Sequence, residues 1–394
     1  MLQKVQLIPM SGSEAVAKSV MQSNVDFVSA YPITPQTIIV ERISDLVGEG
    51  GTKTCFVNVE SEHSAISACV GASLAGARSF TATSSQGLAL MHEVLYLTSG
   101  LRVPLVMAVA NRALSAPISI HGDHSDMMGS RDSGWIQYYV ENAQEAYDWV
   151  MQAFRIAEDD RVMLPFTVNM DGYVITHSVE PISLIDQAAV DKFVPPRIAK
   201  TRLDANNPMT FGTLTLPDYY TEFKRQQEEA MRNTPAVFDE VTSEFSKLIG
   251  REYKQLVPFE LDGAKVIVVS LGSASGTIRY VARGLRKKGL PVGALRVGLF
   301  RPFPTKQFAK LVENADVIVV LERAMSLGSR VGPLGSEIVN SLYDSPSRPR
   351  ILDFIAGLGG RDLAPETIEK LFRNGVDAAS KPSGLEMDFL GVRE

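Results

Sequence analysis

Four short clusters in this 394-residue chain place reactive or ligand-gripping side chains at the ends of apolar runs. Tyr31-Pro-Ile-Thr-Pro35 follows the run Asp26–Ala30. Pro32 and Pro35 fix their own φ and push their predecessors toward extended backbone, so Thr34 stands on a stiff loop. Glu60-Ser-Glu62 follows Thr54–Val59, with Glu62 at or just before a helix start, where the helix dipole keeps a carboxylate ionised. Phe80-Thr-Ala-Thr-Ser-Ser-Gln-Gly87 crowds Ser84, Ser85 and Gln86 at a third end, and Gly87 lets the next helix begin close to whatever they bind. Val103–Ala110 ends in Asn111-Arg112, and the planar fork of an arginine suits a carboxylate through two parallel hydrogen bonds. Each cluster has a plainer reading: a proline turn, a first-turn acid, an inter-subunit ion pair. Converging on one rim, a carboxylate, an arginine and several hydroxyls make a site.

A fifth stretch, His121-Gly-Asp-His-Ser-Asp126, is dense in histidine and aspartate. A metal could be held there, but no second cluster completes a ligand set, and a polar loop closing over a ligand is the better expectation. His63, His92 and His177 stand isolated and receive no role. Gly272-Ser-Ala-Ser-Gly276 follows a strand and opens a helix, which could cradle a phosphate on backbone N–H groups. It lacks the Walker lysine and the full dinucleotide fingerprint, so an ordinary strand-to-helix turn is expected.

Placing these ends on one rim takes a parallel sheet, since open parallel sheets bind ligands at the carboxyl edge. From about residue 5 to 180 short β-like runs alternate with helical stretches, which is the α/β pattern. Strands are expected at Asp26–Ala30, Thr54–Val59, Arg78–Thr83, Val103–Ala110, Gln137–Tyr139 and Phe166–Met170. Helices are expected at Ser11–Ser23, Thr37–Val47, Ser64–Leu74, Gly87–Tyr96, Ala143–Glu158 and Arg131–Trp135. Residues 181–216 hold four prolines and no sustained period, an extended connector by pattern, and Asp218–Leu248 is a polar helix suited to solvent or a subunit boundary. A second α/β unit follows, with strands at Lys265–Ser270, Val292–Val297, Asp316–Leu321 and Ile351–Phe354. The division is thus 1–180, 181–259 and 260–394.

Composition narrows the classes. The chain is 45% hydrophobic and 21% charged with net charge −6, a globular profile without the basic run that nucleic acid needs. Met1 to Met10 does not read as a leader and no apolar run approaches membrane length, so a cytoplasmic protein is expected. Cys55 and Cys69 are the only cysteines, and two cannot complete a four-cysteine iron–sulfur site. Any cluster chemistry belongs to another chain.

Taken together, Tyr31-Pro-Ile-Thr-Pro35, Glu60-Ser-Glu62, Ser84-Ser-Gln-Gly87, Asn111-Arg-Ala-Leu-Ser-Ala-Pro117, Asp123-His-Ser-Asp126, Arg131-Asp-Ser-Gly-Trp135 and Gly357-Leu-Gly-Gly-Arg-Asp362 resemble the α subunit of 2-oxoacid:ferredoxin oxidoreductases, the pyruvate:ferredoxin oxidoreductase family. The resemblance implies a pyrimidine-type thiamine diphosphate domain at 1–180 and a transketolase-C-terminal-like domain at 260–394. It implies decarboxylation of a 2-oxo acid, acyl transfer to coenzyme A, and electrons passed through iron–sulfur clusters to ferredoxin. A β subunit would hold the diphosphate and its Mg2+, in keeping with the lack of a Gly-Asp-Gly motif here. A γ subunit and a ferredoxin-like iron–sulfur subunit would complete the assembly. By position, Glu62 matches the glutamate that hydrogen-bonds the aminopyrimidine N1′. Thr34 and Arg112 match the residues that hold the substrate's carboxylate and oxo group. Pro32, Ser85 and Gln86 fall on the cofactor side, and Ile120, His121, Gly122 and Asp123 on the substrate pocket. Pyruvate-using members tend to read Asn-Ile-Trp-Asn-Asp where this chain has Ser119-Ile-His-Gly-Asp123, so His121 and Gly122 are expected to leave more room.

Pyruvate is therefore the first expectation by family frequency, with phenylglyoxylate or a branched-chain 2-oxo acid close behind. Two readings from other classes stay open: a nucleotide- or flavin-binding electron-transfer subunit, and a purely structural assembly subunit.

Overall fold

Parallel strands buried on both faces need runs of β-branched and aliphatic residues, and such runs build two sheets in this computed structural model, which describes residues 7–393. Residues 1–6, part of the stretch read as lacking a leader, lie outside the described residues. The first sheet runs Leu299–Arg301, Ile136–Tyr139, Phe166–Asp171, Val106–Asn111, Ser79–Thr83, Phe27–Ala30, Cys55–Asn58. All its pairings are parallel except that of Leu299–Arg301, which is antiparallel to Ile136–Tyr139. The second sheet runs Leu385–Phe389, Arg350–Ile355, Val317–Glu322, Val266–Ser270, Val292–Val297, Leu256–Phe259, with only the last strand antiparallel. The α/β expectation therefore holds.

Local signals set the helices. Gly12–Gln22 starts at Ser11, whose hydroxyl accepts from Glu14 N while Glu14 Oε2 accepts from Ser11 N, a reciprocal capping box. Two helical expectations need correcting. The stretch Gly87–Tyr96 is two helices, Ser85–Leu90 and His92–Gly100, joined at Met91. Arg131–Trp135 is not helical: Gly134 takes a positive φ of 83°, and buried Trp135 turns its indole N–H onto Leu95 O. The short helix lies upstream at Ser125–Gly129.

The connector is less extended than its prolines suggest. Val179–Ser183 pairs antiparallel with Leu7–Ser11, and Gln187–Phe193 is a helix capped by Asp186. The long helix Pro217–Ile249 buries one side from Ala230 onward, including Val237, Phe238, Val241 and Phe245, in the core beneath the first sheet. Its first half carries exposed Tyr219, Tyr220 and Phe223.

The two units are sewn together. Besides the shared strand Leu299–Arg301, Arg296 makes a buried bidentate pair with Glu145 across the junction, at 2.6 and 2.9 Å. Removing one partner of such a pair strands the other charge, at a cost of about 3–5 kcal/mol.

Candidate active site

The strands Phe27–Ala30, Ser79–Thr83 and Val106–Asn111 are neighbours in register, and Cys55–Asn58 flanks them, so the loops leaving their carboxyl ends share one edge. Thr34, Glu62, Ser84–Gln86 and Arg112 all leave from that edge.

Glu62 is the first residue of the helix Glu62–Leu74, behind the N-cap Ser61, whose hydroxyl accepts from Ser64 N. It is only 7% exposed. Its carboxylate lies against the bare Cα of Gly87: a Cβ there would sit 2.6 Å from Glu62 Oε1 and 2.5 Å from Thr83 Oγ1. Gly87 is thus needed for the close approach of the Glu62 and Thr83 side chains, although the helix begins two residues earlier, at Ser85.

The hydroxyl run divides by task. Ser84 donates to Ala110 O at 2.7 Å, and Ser85 shares its hydroxyl between Ala113 O and the Gln86 amide oxygen, both at 2.6 Å. These two serines pin one strand end to the next instead of facing open space. Pro32 and Thr34 are exposed on the loop beyond Ala30. Gln36, unremarked in the sequence, supports that loop by accepting from Ile33 N and donating to Ala82 O.

Arg112 is 6% exposed, and its guanidinium is held by carbonyls: Nη1 donates to Thr34 O at 2.9 Å and Nε to Ser119 O at 3.0 Å. No carboxylate of the described residues pairs with it. Arg112 and Thr34, set 78 residues apart, are thereby brought together. An almost buried cation with donors to spare has the chemistry to receive an anion.

Asp126 is the residue that sequence reasoning underrated. Fully buried, it accepts from Asn111 Nδ2, Arg112 N, Ser85 N and Met127 N at 2.8–3.0 Å. It ties two site loops to each other. Burial pushes its carboxyl up to about 6, against the pull of those four donors. The only sequence signal was its place in the Asp123-His-Ser-Asp126 motif.

That motif does not act as one lid. Asp123 accepts from Ser125 N and Oγ and, through Oδ2, from Gly359 N of the second unit. His124 Nε2 lies 2.6 Å from Asp171 Oδ1, and Asp171 also pairs with Arg323 at 2.7 Å. The Arg323 guanidinium and His124 hold the Asp171 carboxyl well below the usual range despite burial. Ser273 donates its N–H to Asp171 Oδ2 at 2.8 Å. The turn Gly272–Gly276 therefore spends its anion-seeking backbone on an internal carboxylate, which explains its phosphate-loop look.

Ile120 and His121 are exposed; His121 rests on Tyr173, ring centroids 4.9 Å apart, and against Gly360. The expectation for Gly122 needs correction. A Cβ there would fall 2.7 Å from Gly172 O and 3.3 Å from Asn111 O, so Gly122 is buried against backbone and opens no extra room. Gly122→Asn should destabilise the protein by about 1–3 kcal/mol through overpacking. The ratio of specificities for pyruvate and 2-oxoisovalerate should stay unchanged; thermal melts and kcat/KM for both substrates test this.

Comparisons with known proteins bear on the family and the fold. Residues 18–243 match the family described as pyruvate flavodoxin/ferredoxin oxidoreductase, thiamine diphosphate-binding, and residues 264–368 match pyruvate:ferredoxin oxidoreductase core domain II. The chain is 46% identical over 391 residues to pyruvate synthase subunit PorA of Thermotoga maritima, covering 99% of both chains. It is 40% identical to ketoisovalerate oxidoreductase subunit VorA of Pyrococcus abyssi, covering 92% of this chain and 91% of that one. A solved 2-oxoglutarate:ferredoxin oxidoreductase from Magnetococcus marinus shares the fold, with a TM-score of 0.74 at 21% identity over 94% of this chain and 66% of that one.

Proposed function

The chain belongs to the pyruvate:ferredoxin oxidoreductase family, as a subunit of a thiamine diphosphate-dependent 2-oxoacid oxidoreductase, and from that premise we propose that it binds pyruvate through Arg112 and activates the cofactor through Glu62. One observation carries the reading of the site. Arg112 lies almost buried at the strand ends, held by two carbonyls and left without a carboxylate from the described residues. A 2-oxo acid supplies that carboxylate. The higher identity to a pyruvate synthase subunit than to a ketoisovalerate oxidoreductase subunit supports pyruvate over a branched-chain acid.

The residues present fit the pyrimidine side of thiamine diphosphate. Glu62 offers a buried carboxylate at a helix start, and Gly87 keeps a side chain out of the space beside it. Pro32 stands on the loop after Ala30, and Gln86 in the first turn of the helix Ser85–Leu90. When bound, the cofactor supplies the electron sink for decarboxylation. Glu62 holds a proton at the aminopyrimidine N1′; Arg112 and Thr34 orient the 2-oxo acid by its carboxylate end; Asp126 fixes the backbone beneath both Ser85 and Arg112.

The remaining parts come from elsewhere: a β subunit carrying the diphosphate and Mg2+, γ and ferredoxin-like iron–sulfur subunits, coenzyme A as acyl acceptor, and ferredoxin as electron acceptor. Cys55 and Cys69 are free, with Cys69 buried. No helix among the described residues is long and apolar enough to cross a membrane; a cytoplasmic location is part of the same proposal. The chain purified alone should neither decarboxylate pyruvate nor reduce a viologen dye, and adding the partner subunits should restore both. Turnover by the isolated chain at the rate of the complex would overturn this division of labour.

A further inference from the structure

Thr83, Ser84 and Ser85 form three consecutive hydroxyls at the end of one central strand. Two are satisfied by carbonyls of neighbouring segments. The Thr83 hydroxyl is not: it is fully buried and has no hydrogen-bond partner among the described residues. Strand geometry alone does not call for it, because valine has the same branched shape and would bury no unpaired polar atom. An unpaired hydroxyl in this place is costly unless something uses it.

Its neighbour is the Glu62 carboxylate. A single point, the Cβ position that Gly87 leaves empty, lies 2.5 Å from Thr83 Oγ1 and 2.6 Å from Glu62 Oε1. The two oxygens are therefore no farther apart than one bridging water spans. Thr81, two residues earlier on the same strand, spends its hydroxyl on Ser29 O. Among the described residues no carbonyl does the same for Thr83.

We propose that Thr83 is a positioning residue of this site: its hydroxyl donates to the Glu62 carboxylate through one water and fixes the orientation in which Glu62 meets the pyrimidine ring. The proposal rests on the reading of Glu62 given above. One carboxylate oxygen is then held by the strand end, and the other is left for the proton at N1′. The same contact explains why the residue between them in space is a glycine.

The test uses the complete complex carrying Thr83→Val, which keeps the shape, and Thr83→Ser, which keeps the hydroxyl. Thr83→Val should lower kcat about tenfold, the worth of one hydrogen bond to a carboxylate, while leaving the KM for the 2-oxo acid unchanged. Thiamine diphosphate binding measured by titration calorimetry should stay near that of the native complex, as for Glu62→Gln, and Thr83→Ser should restore kcat. Combined with Glu62→Gln, Thr83→Val should add nothing further. Equal impairment in the valine and serine variants would mean packing only, and the proposal would fall. It falls too if the valine effect persists in full beside Glu62→Gln. Should Glu62→Gln itself turn over normally, the reading of Glu62 fails and this one with it. An inactive Glu62→Gln beside an unaffected Thr83→Val leaves Glu62 standing and removes Thr83 alone.

Discussion

Glu62→Gln is expected to leave thiamine diphosphate bound and to lower turnover of the assembled enzyme by about 10²–10⁴-fold, the usual contribution of one general acid–base group. The amide keeps the length and shape of the side chain, so its packing against Gly87 is undisturbed. What it loses is the negative charge that holds a proton at N1′. The position favours this charge: Glu62 opens a helix, where unpaired N–H groups and the dipole both stabilise an anion. Calorimetry with the cofactor and dye reduction driven by pyruvate separate binding from activation. Near-normal turnover would reduce Glu62 to an acid that merely begins a helix.

Arg112→Ala is expected to raise the KM for pyruvate about 10- to 100-fold, from the roughly 1.5–3 kcal/mol of a hydrogen bond to a charged group. Arg112→Lys keeps the charge but not the fork, and should fall between alanine and the native enzyme. The geometry adds a second component. The guanidinium bridges the carbonyls of Thr34 and Ser119, so its loss frees two loops as well as the anion. Cofactor affinity should barely change, because Asp126 holds the Arg112 backbone through its N–H whatever side chain follows. A complex that dissociates on Arg112→Ala with its KM intact would show instead that the arginine pairs across a subunit boundary.

Both residues were legible in the chain because parallel strands announce themselves. A strand covered on both faces reads as an unbroken apolar run, and a polar residue just past it stands on the ligand edge. Thr34, Glu62, Ser84 and Arg112 all follow that rule. Asp126 does not: a histidine- and aspartate-rich segment reads as exposed, and only tertiary packing buries that carboxylate beneath two loops. Gly122 misled for a related reason, since a glycine in sequence does not tell empty space from backbone pressed against it. Ser273 faces Asp171 from 102 residues away, a pairing that no local pattern encodes. The missed strands are short edge pieces. Val179–Ser183 even holds a proline, which an edge tolerates because one side of its backbone needs no partner.

The strand Leu299–Arg301 gives the molecule a particular birth. Ile136–Tyr139 leaves the ribosome long before the segment that closes its outer side. At about 5–20 residues per second, the intervening chain takes roughly ten to thirty seconds to synthesise. Through that interval the nascent first sheet offers an open row of backbone donors and acceptors, the kind of edge along which chains stick to one another. A gene cut between the two units would make that transient state permanent. Such a fragment would have to recruit its missing strand from a second polypeptide or be guarded by a chaperone.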